Sequence, residues 1–250
     1  MAQSNDTFCW NGIVSSDPER TLAFFPEVLG WKVQKVEMGD ETVSMLANGE
    51  TPLAHVRGPQ MEGEPTWWNN YLRVADVDAA SKAVADNGGE VLVPPTDIPP
   101  GRFSTVKTPS GAAFSLFKSA NPEDEDPVPA LGNIHWVDLH SKDIDADLAF
   151  LREALGLKTQ EMPMPNGPYF ILNPDTATRG GAMAGMNPQA PSMWLAWVQV
   201  DSVEDVLGRV ERNGGKVLAP AWNAEGVGHM AIASDPAGIP FGVIKPPAAN

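Results

Sequence analysis

Asp138 and His140 stand two residues apart in the apolar segment Ile134–His140. In a β-strand such residues share one face. A carboxylate beside an imidazole orients the ring and raises its pKa, which suits general acid–base chemistry. The same pair also serves as a structural or solvated hydrogen bond, and residue types alone leave both readings open. Arg73 offers a cation for an anionic ligand group. The rings of Trp10, Tyr71, Trp136 and Trp197 can stack on a planar or apolar ligand, each pair of rings adding about 0.5–1.5 kcal/mol beyond area burial. They can equally well fill space in an interior. The remaining histidines, His55, His135 and His229, lie at spacings that build no metal site, and His135 faces away from His140. Gly-rich phosphate loops, nucleophile elbows and paired-cysteine motifs do not occur. Cys9 is the only cysteine, so no intramolecular disulfide forms. Its apolar strand holds no basic neighbour, and a buried structural thiol is expected.

The elements that position these residues come from a long internal repeat. Trp10 precedes Trp136 by 126 positions, and Asp17–Asp143, Phe24–Phe150 and Gly30–Gly156 follow the same shift. Each half also divides in two. Phe8–Val14 is strand-like. Asp17-Pro18 opens a helix, with the carboxylate placed to cap it and proline at its first position. Leu22, Phe24, Phe25, Val28 and Leu29 keep helical spacing, and Gly30 closes the helix. Three strand-like pieces follow. The pattern restarts with a strand from Trp67 to Val74 and a helix from Asp76 to Asn87. The second half repeats it, with helices at Asp143–Leu155 and Val203–Asn213. The expected fold is α+β, with four βαβββ units paired into two curled mixed sheets, or half-barrels, helices outside. The expected domains are 1–120 (units 1–64 and 65–120) and 131–250 (units 131–190 and 191–250). An acidic, proline-rich linker at 121–130 joins them. Strand alternation puts Ile13, Ser15, Leu72, Val74, Val198 and Val200 on the helix side. It puts Trp10, Asn69, Tyr71, Arg73 and Ser115 in a first cavity, and Trp136, Asp138, His140, Trp197 and Gln199 in a second.

Composition excludes several classes. The 250 residues are 42% hydrophobic and 20% charged, with net charge −15, so the chain is globular. So acidic a surface repels phosphate backbones and anionic lipid, which argues against nucleic-acid and membrane partners. Residues Met1–Asp6 lack the features of a signal peptide, and no apolar run reaches spanning length. A cytoplasmic protein is expected.

These residues resemble the vicinal oxygen chelate superfamily of glyoxalase I, extradiol dioxygenases, and fosfomycin and bleomycin resistance proteins. The resemblance covers nearly the whole chain outside the linker. It is carried best by Trp10–Trp31 (WNGIVSSDPERTLAFFPEVLGW), Asp97–Phe117 (DIPPGRFSTVKTPSGAAFSLF), Trp136–Leu157 (WVDLHSKDIDADLAFLREALGL) and Gly226–Ile244 (GVGHMAIASDPAGIPFGVI). It is similar above all to duplicated, bacterial glyoxalase-related proteins. The resemblance implies a divalent metal held by His, Gln and Glu on cavity-facing strands. Those positions fall here at Trp10 and Trp136, near Asn69 and Leu195, and at Ser115 and Gly242. Such side chains make poor ligands or none, so no metal or other cofactor is expected. The leading expectation is a protein binding an apolar or aromatic small molecule in one or both cavities, as a monomer with paired domains or a homodimer. The alternatives are a metal-independent lyase, isomerase or hydrolase using Asp138 and His140, a metal-dependent glyoxalase or dioxygenase with other ligands, and a structural or regulatory duplication with filled cavities.

Overall fold

The structure, a computed structural model, describes residues 6–39, 41–124, 128–164, 167–175, 179–187 and 189–247. Residues 1–5 and the linker residues 125–127, on which two of the expectations above fall, lie outside the described residues. Four βαβββ units follow in order. The first is β1 (Phe8–Val14), α1 (Pro18–Leu29), β2 (Lys32–Met38), β3 (Glu41–Asn48) and β4 (Thr51–Arg57). The second is β5 (Trp67–Arg73), α2 (Val77–Asp86), β6 (Glu90–Ile98), β7 (Gly101–Lys107) and β8 (Ala113–Ser119). The third is β9 (Ile134–Ser141), α3 (Ile144–Leu155), β10 (Thr159–Met162), β11 (Tyr169–Leu172) and β12 (Gly180–Ala184). The fourth is β13 (Met193–Gln199), α4 (Val203–Arg212), β14 (Lys216–Ala224), β15 (Gly228–Ser234) and β16 (Pro240–Lys245).

Local chemistry explains the boundaries. Each helix begins where a side-chain oxygen accepts an otherwise unpaired N–H. Asp17 takes it from Arg20, Asp76 from Ala79, Asp143 from Ala146 and Ser202 from Asp205, all at 3.0–3.2 Å. Gly30 and Gly156 end α1 and α3 in the left-handed region, with φ of 73° and 68°, where a side chain would be strained.

The strands form two eight-stranded mixed sheets, ordered β2-β3-β4-β1-β5-β8-β7-β6 and β10-β11-β12-β9-β13-β16-β15-β14. The α+β class and the fourfold βαβββ pattern therefore hold. Within each sheet β1 pairs in parallel with β4, β5 with β8, β9 with β12 and β13 with β16, while the hairpin-linked strands such as β2 and β3 run antiparallel. The edge strands β6 and β14 carry Pro94, Pro95 and Pro220 and break register twice each. An edge tolerates proline because one row of its backbone groups needs no strand partner.

Compactness divides the chain differently from the repeat. One compact unit comprises Met1–Trp10, Asn69–Pro127 and Trp136–Trp194; the other comprises Asn11–Trp68, Val128–His135 and Leu195–Asn250. Each takes one helix from each half. In the first unit α2 packs with α3, over a core that includes Leu72, Val84, Phe114, Leu139, Phe150 and Leu151. In the second α1 packs with α4, over Ile13, Phe25, Trp68, Val198, Val206 and Phe241. The residues expected on the helix side fall in these two cores, with Ser15 fully buried beside α1. The amphipathic face of each helix is thus covered by the sequence half it does not belong to as well as by its own. Cys9 is buried, its thiol donating to the Tyr71 carbonyl at 3.5 Å. Among the described residues no helix is long and apolar enough to cross a membrane.

Candidate functional site

In the first compact unit, β9 carries Trp136, Asp138 and His140 on one face. Asp138 and His140 are buried, at 5% and 6% exposure, while Trp136 is partly exposed. The Asp138 carboxylate is gripped from an unexpected side. Tyr169, on β11, donates its hydroxyl to Asp138 Oδ1 at 2.5 Å. The Trp136 indole N–H reaches the same carboxylate oxygen at 2.9 Å and the Tyr169 hydroxyl oxygen at 2.6 Å. Strand β12 lies between β11 and β9, with Gly181 level with Asp138. A Cβ on Gly181 would come within 1.8 Å of the Tyr169 hydroxyl. The ring crosses β12 only because that residue has no side chain. Tyr169 is not among the candidates that strand alternation selects. The signal that could have found it is Gly180-Gly181 inside a strand, a pattern that marks close approach of another group.

His140 Nε2 is buried and has no hydrogen-bond partner. Burial lowers the pKa of His140, and the Asp138 charge opposes that shift only in part. Asp138 acts in the expected upward direction, but the net shift is downward, because loss of hydration outweighs the attraction of a carboxylate already occupied by two donors. The imidazole is neutral at pH 7, in the state of a base. The Tyr169 hydroxyl is pushed the other way, upward, by burial and by the Asp138 charge. It stays protonated and is a donor.

The candidates of the first cavity are more enclosed. Along β5, Asn69, Tyr71 and Arg73 are all buried. Asn69 Nδ2 donates to the Tyr71 hydroxyl at 3.1 Å, and Tyr71 meets Phe117 edge-on at 6.1 Å. Ser115, level with Tyr71 on β8, shares a hydrogen bond of 2.9 Å with Thr105. Trp10 is partly exposed. Trp197 and Gln199 belong to the second compact unit. Trp197 is 3% exposed and meets Trp222 edge-on at 6.2 Å. Its ring lies over Gly242, where a Cβ would come within 2.1 Å. Of the four rings expected to stack on a ligand, Tyr71 and Trp197 are therefore packed inside, and Trp10 and Trp136 show part of their surface.

His55 illustrates the same device in the second unit. Its ring sits over Gly12, where a Cβ would come within 2.4 Å. Burial, then the Arg57 charge, lowers its pKa to about 4. A histidine with a depressed folded-state pKa binds its proton more readily when unfolded, so stability rises with pH between the folded and unfolded values. Stability will therefore fall as pH drops from about 6.5 towards 4. His55→Gln will lose less over that interval, as urea midpoints at pH 7 and pH 5 will show. Equal losses in both proteins would remove His55 from the account. His229, by contrast, is held at both ring nitrogens, by Asn223 at 2.7 Å and Glu204 at 2.6 Å.

Several positions where the family resemblance would place a metal ligand are engaged otherwise. Trp136 presents an N–H, not a lone pair, and spends it on Asp138 and Tyr169. The Gly242 position is covered by an indole. Ser115 shares a hydrogen bond with the neutral Thr105. Among the described residues no three His, Cys, Asp or Glu side chains gather to hold a metal ion.

The sheet order and these strands define a duplicated βαβββ protein, and comparison with known proteins gives the family. The model of the Glyoxalase/Bleomycin resistance protein/Dioxygenase superfamily matches residues 8–116 and 133–243, and the chain belongs to that superfamily. A protein of Mycobacterium tuberculosis named "Putative glyoxylase CFP32" is 32% identical over 244 residues, covering 95% of this chain and 94% of that one. The anthracycline biosynthesis protein DnrV of Streptomyces peucetius is 26% identical over 258 residues, covering 94% and 92%. Among solved structures, the Mn(II)-bound glyoxalase from Novosphingobium aromaticivorans aligns with a TM-score of 0.65 at 19% identity, over 97% of this chain and 83% of that one. The 2,2',3-trihydroxybiphenyl 1,2-dioxygenase of Sphingomonas wittichii aligns with a TM-score of 0.65 at 13% identity, over 97% and 91%. At such identities these structures speak to the fold alone.

Proposed function

We propose that this member of the superfamily works without a metal and binds an apolar or aromatic small molecule against Trp136. The observation that carries the reading is the tethered indole. Trp136 is partly exposed, yet its N–H is fixed by Asp138 and Tyr169. A ring held in one orientation loses little freedom when a planar ligand stacks on it. The relative named for anthracycline biosynthesis supports the ligand class, because anthracyclines contain fused aromatic rings.

A second reading rests on His140. A neutral, buried imidazole with an unpartnered nitrogen, two residues from a carboxylate, is equipped to take a proton from a bound molecule. The Asp138 carboxylate would then balance the imidazolium charge, with the Tyr169 hydroxyl holding that carboxylate in place. In this reading the protein is a metal-independent lyase, isomerase or hydrolase.

Titration with 1,4-dihydroxyanthraquinone, followed by tryptophan fluorescence, tests the first reading. Trp136→Ala should weaken binding by about 2- to 13-fold, the affinity equivalent of 0.5–1.5 kcal/mol of stacking. Unchanged affinity would exclude stacking at that ring. Conversion of the compound by the wild type but not by His140→Ala would establish the second reading. Stoichiometric zinc, nickel, manganese or iron in native mass spectra of the isolated protein would overturn the metal-free premise of both.

A further inference from the structure

The two places where a helix of one sequence half meets a turn of the other are built alike but charged unalike. In the unit that holds α1 and α4, Thr21 on α1 is fully buried and donates its hydroxyl to Asp235 Oδ2 at 2.6 Å. Asp235 lies in the turn between β15 and β16, is 1% exposed, and accepts the Ile239 N–H at its other oxygen at 2.8 Å. With the Thr21 proton committed to Asp235, Ser15 donates its own hydroxyl to Thr21 Oγ1 at 2.7 Å. The carboxylate here comes from the second half of the chain and the hydroxyls from the first.

In the unit that holds α2 and α3, the fourth residue of α3 occupies the place of Thr21, and it is Asp147. Asp147 is fully buried. Oδ1 accepts the Ser110 N–H at 3.1 Å, and Oδ2 accepts the hydroxyls of Ser110 and, at 2.7 Å, Ser141. Ser110 lies in the turn between β7 and β8, the counterpart of the Asp235 turn. In that turn Thr108 accepts the Ala112 N–H at 3.3 Å, as Asp235 accepts that of Ile239. Again the carboxylate belongs to the second half and the turn hydroxyl that meets it to the first. The helix and the turn have exchanged roles, but the halves have not exchanged charge.

We propose that this division is a recognition code that commits the second half of the chain to a first half and bars it from pairing with a copy of itself. Pairing two second halves through the same surfaces sets Asp147 against Asp235 twice, away from water. Two carboxylates in such a place cannot both stay ionised without a large cost. Pairing two first halves sets Thr21 against Ser110 twice, which is tolerated but lacks the charge-assisted bond. Only the unlike pairing sets each buried carboxylate against hydroxyls.

The test uses the full chain. Thr21→Asp places carboxylate against carboxylate at one joint and reproduces the forbidden pairing there. Urea unfolding at pH 7 should show the folding constant reduced by at least 100-fold. Thr21→Asn, similar in size but uncharged, should lose less than a tenth of that. Thr21→Asp with Asp235→Thr moves the carboxylate to the helix and leaves a hydroxyl in the turn, the division already seen between Asp147 and the turn of Thr108 and Ser110, and should regain at least tenfold over the single variant. Thr108 shows that threonine can cap this turn. A double variant no more stable than Thr21→Asp, or Thr21→Asp and Thr21→Asn within threefold of each other, would overturn the code. If Thr21→Asp yields no folded protein, the double variant decides: recovery of folded protein supports the code, and its failure to fold overturns it.

Discussion

Phe25→Ala will lower the unfolding free energy by about 3–5 kcal/mol. Phe25 is fully buried on α1. It stacks on Trp31 with ring centroids 5.3 Å apart and an interplanar angle of 26°. Phe24 and Phe241 meet it edge-on at 5.4 Å, and Trp68 at 6.0 Å. Removing its ring empties the centre of an aromatic cluster whose members come from a helix, two strands and a helix-following turn. Such rigid neighbours cannot close the gap, so the cavity cost adds to the lost transfer energy. Because Phe241 belongs to the second half of the chain, the loss also loosens the joint between α1 and α4. Urea unfolding monitored by tryptophan fluorescence measures it. A cost below about 1 kcal/mol, well under the usual range for such a change, would mean that the cluster rearranges to fill the space.

Gly181→Ala will disconnect the candidate site, at a cost of about 1–3 kcal/mol from overpacking. The backbone at Gly181 does not need glycine for its conformation, since its φ is not in the left-handed region. The whole effect is therefore steric. The new methyl would lie 1.8 Å from the Tyr169 hydroxyl, so the ring must leave Asp138, and Trp136 loses one of its two acceptors. The affinity for 1,4-dihydroxyanthraquinone should fall along with stability. In a Tyr169→Ala background the same substitution should cost little, because nothing remains above β12 to collide with. A full-sized penalty in that background would show that the methyl strains something other than Tyr169.

Much of this is legible in the residues. The helix caps at Asp17, Asp76 and Asp143 and the glycine stops at Gly30 and Gly156 act within one turn of chain, so their signals are local. The side of each strand that carries Ile13, Leu72 or Val198 follows from alternation alone. The repeat yields the four units and the sheet class. The candidate face Trp136-Asp138-His140 is visible for the same reason. What escapes such reading is electrostatic and long-range. The His140 pKa depends on how completely the fold removes water from the ring. No rule of spacing leads to Tyr169, which is 31 residues from Asp138 along the chain and reaches it only across a third strand. The burial of Tyr71 and Trp197 likewise depends on which strands lie level with Ser115 and Gly242.

The sequence by itself determined the βαβββ repeat, the helix ends and the facing of each strand, because these depend on hydrogen bonds and periodicity within a few residues. Only the tertiary structure decided which half each helix packs against, that Asp138 is held by Tyr169 over Gly181, and that the buried carboxylates Asp147 and Asp235 both meet hydroxyls of the first half. Those contacts join residues from 31 to 214 positions apart. They exist only once the sheets have brought distant strands level and the helices have been covered from both halves.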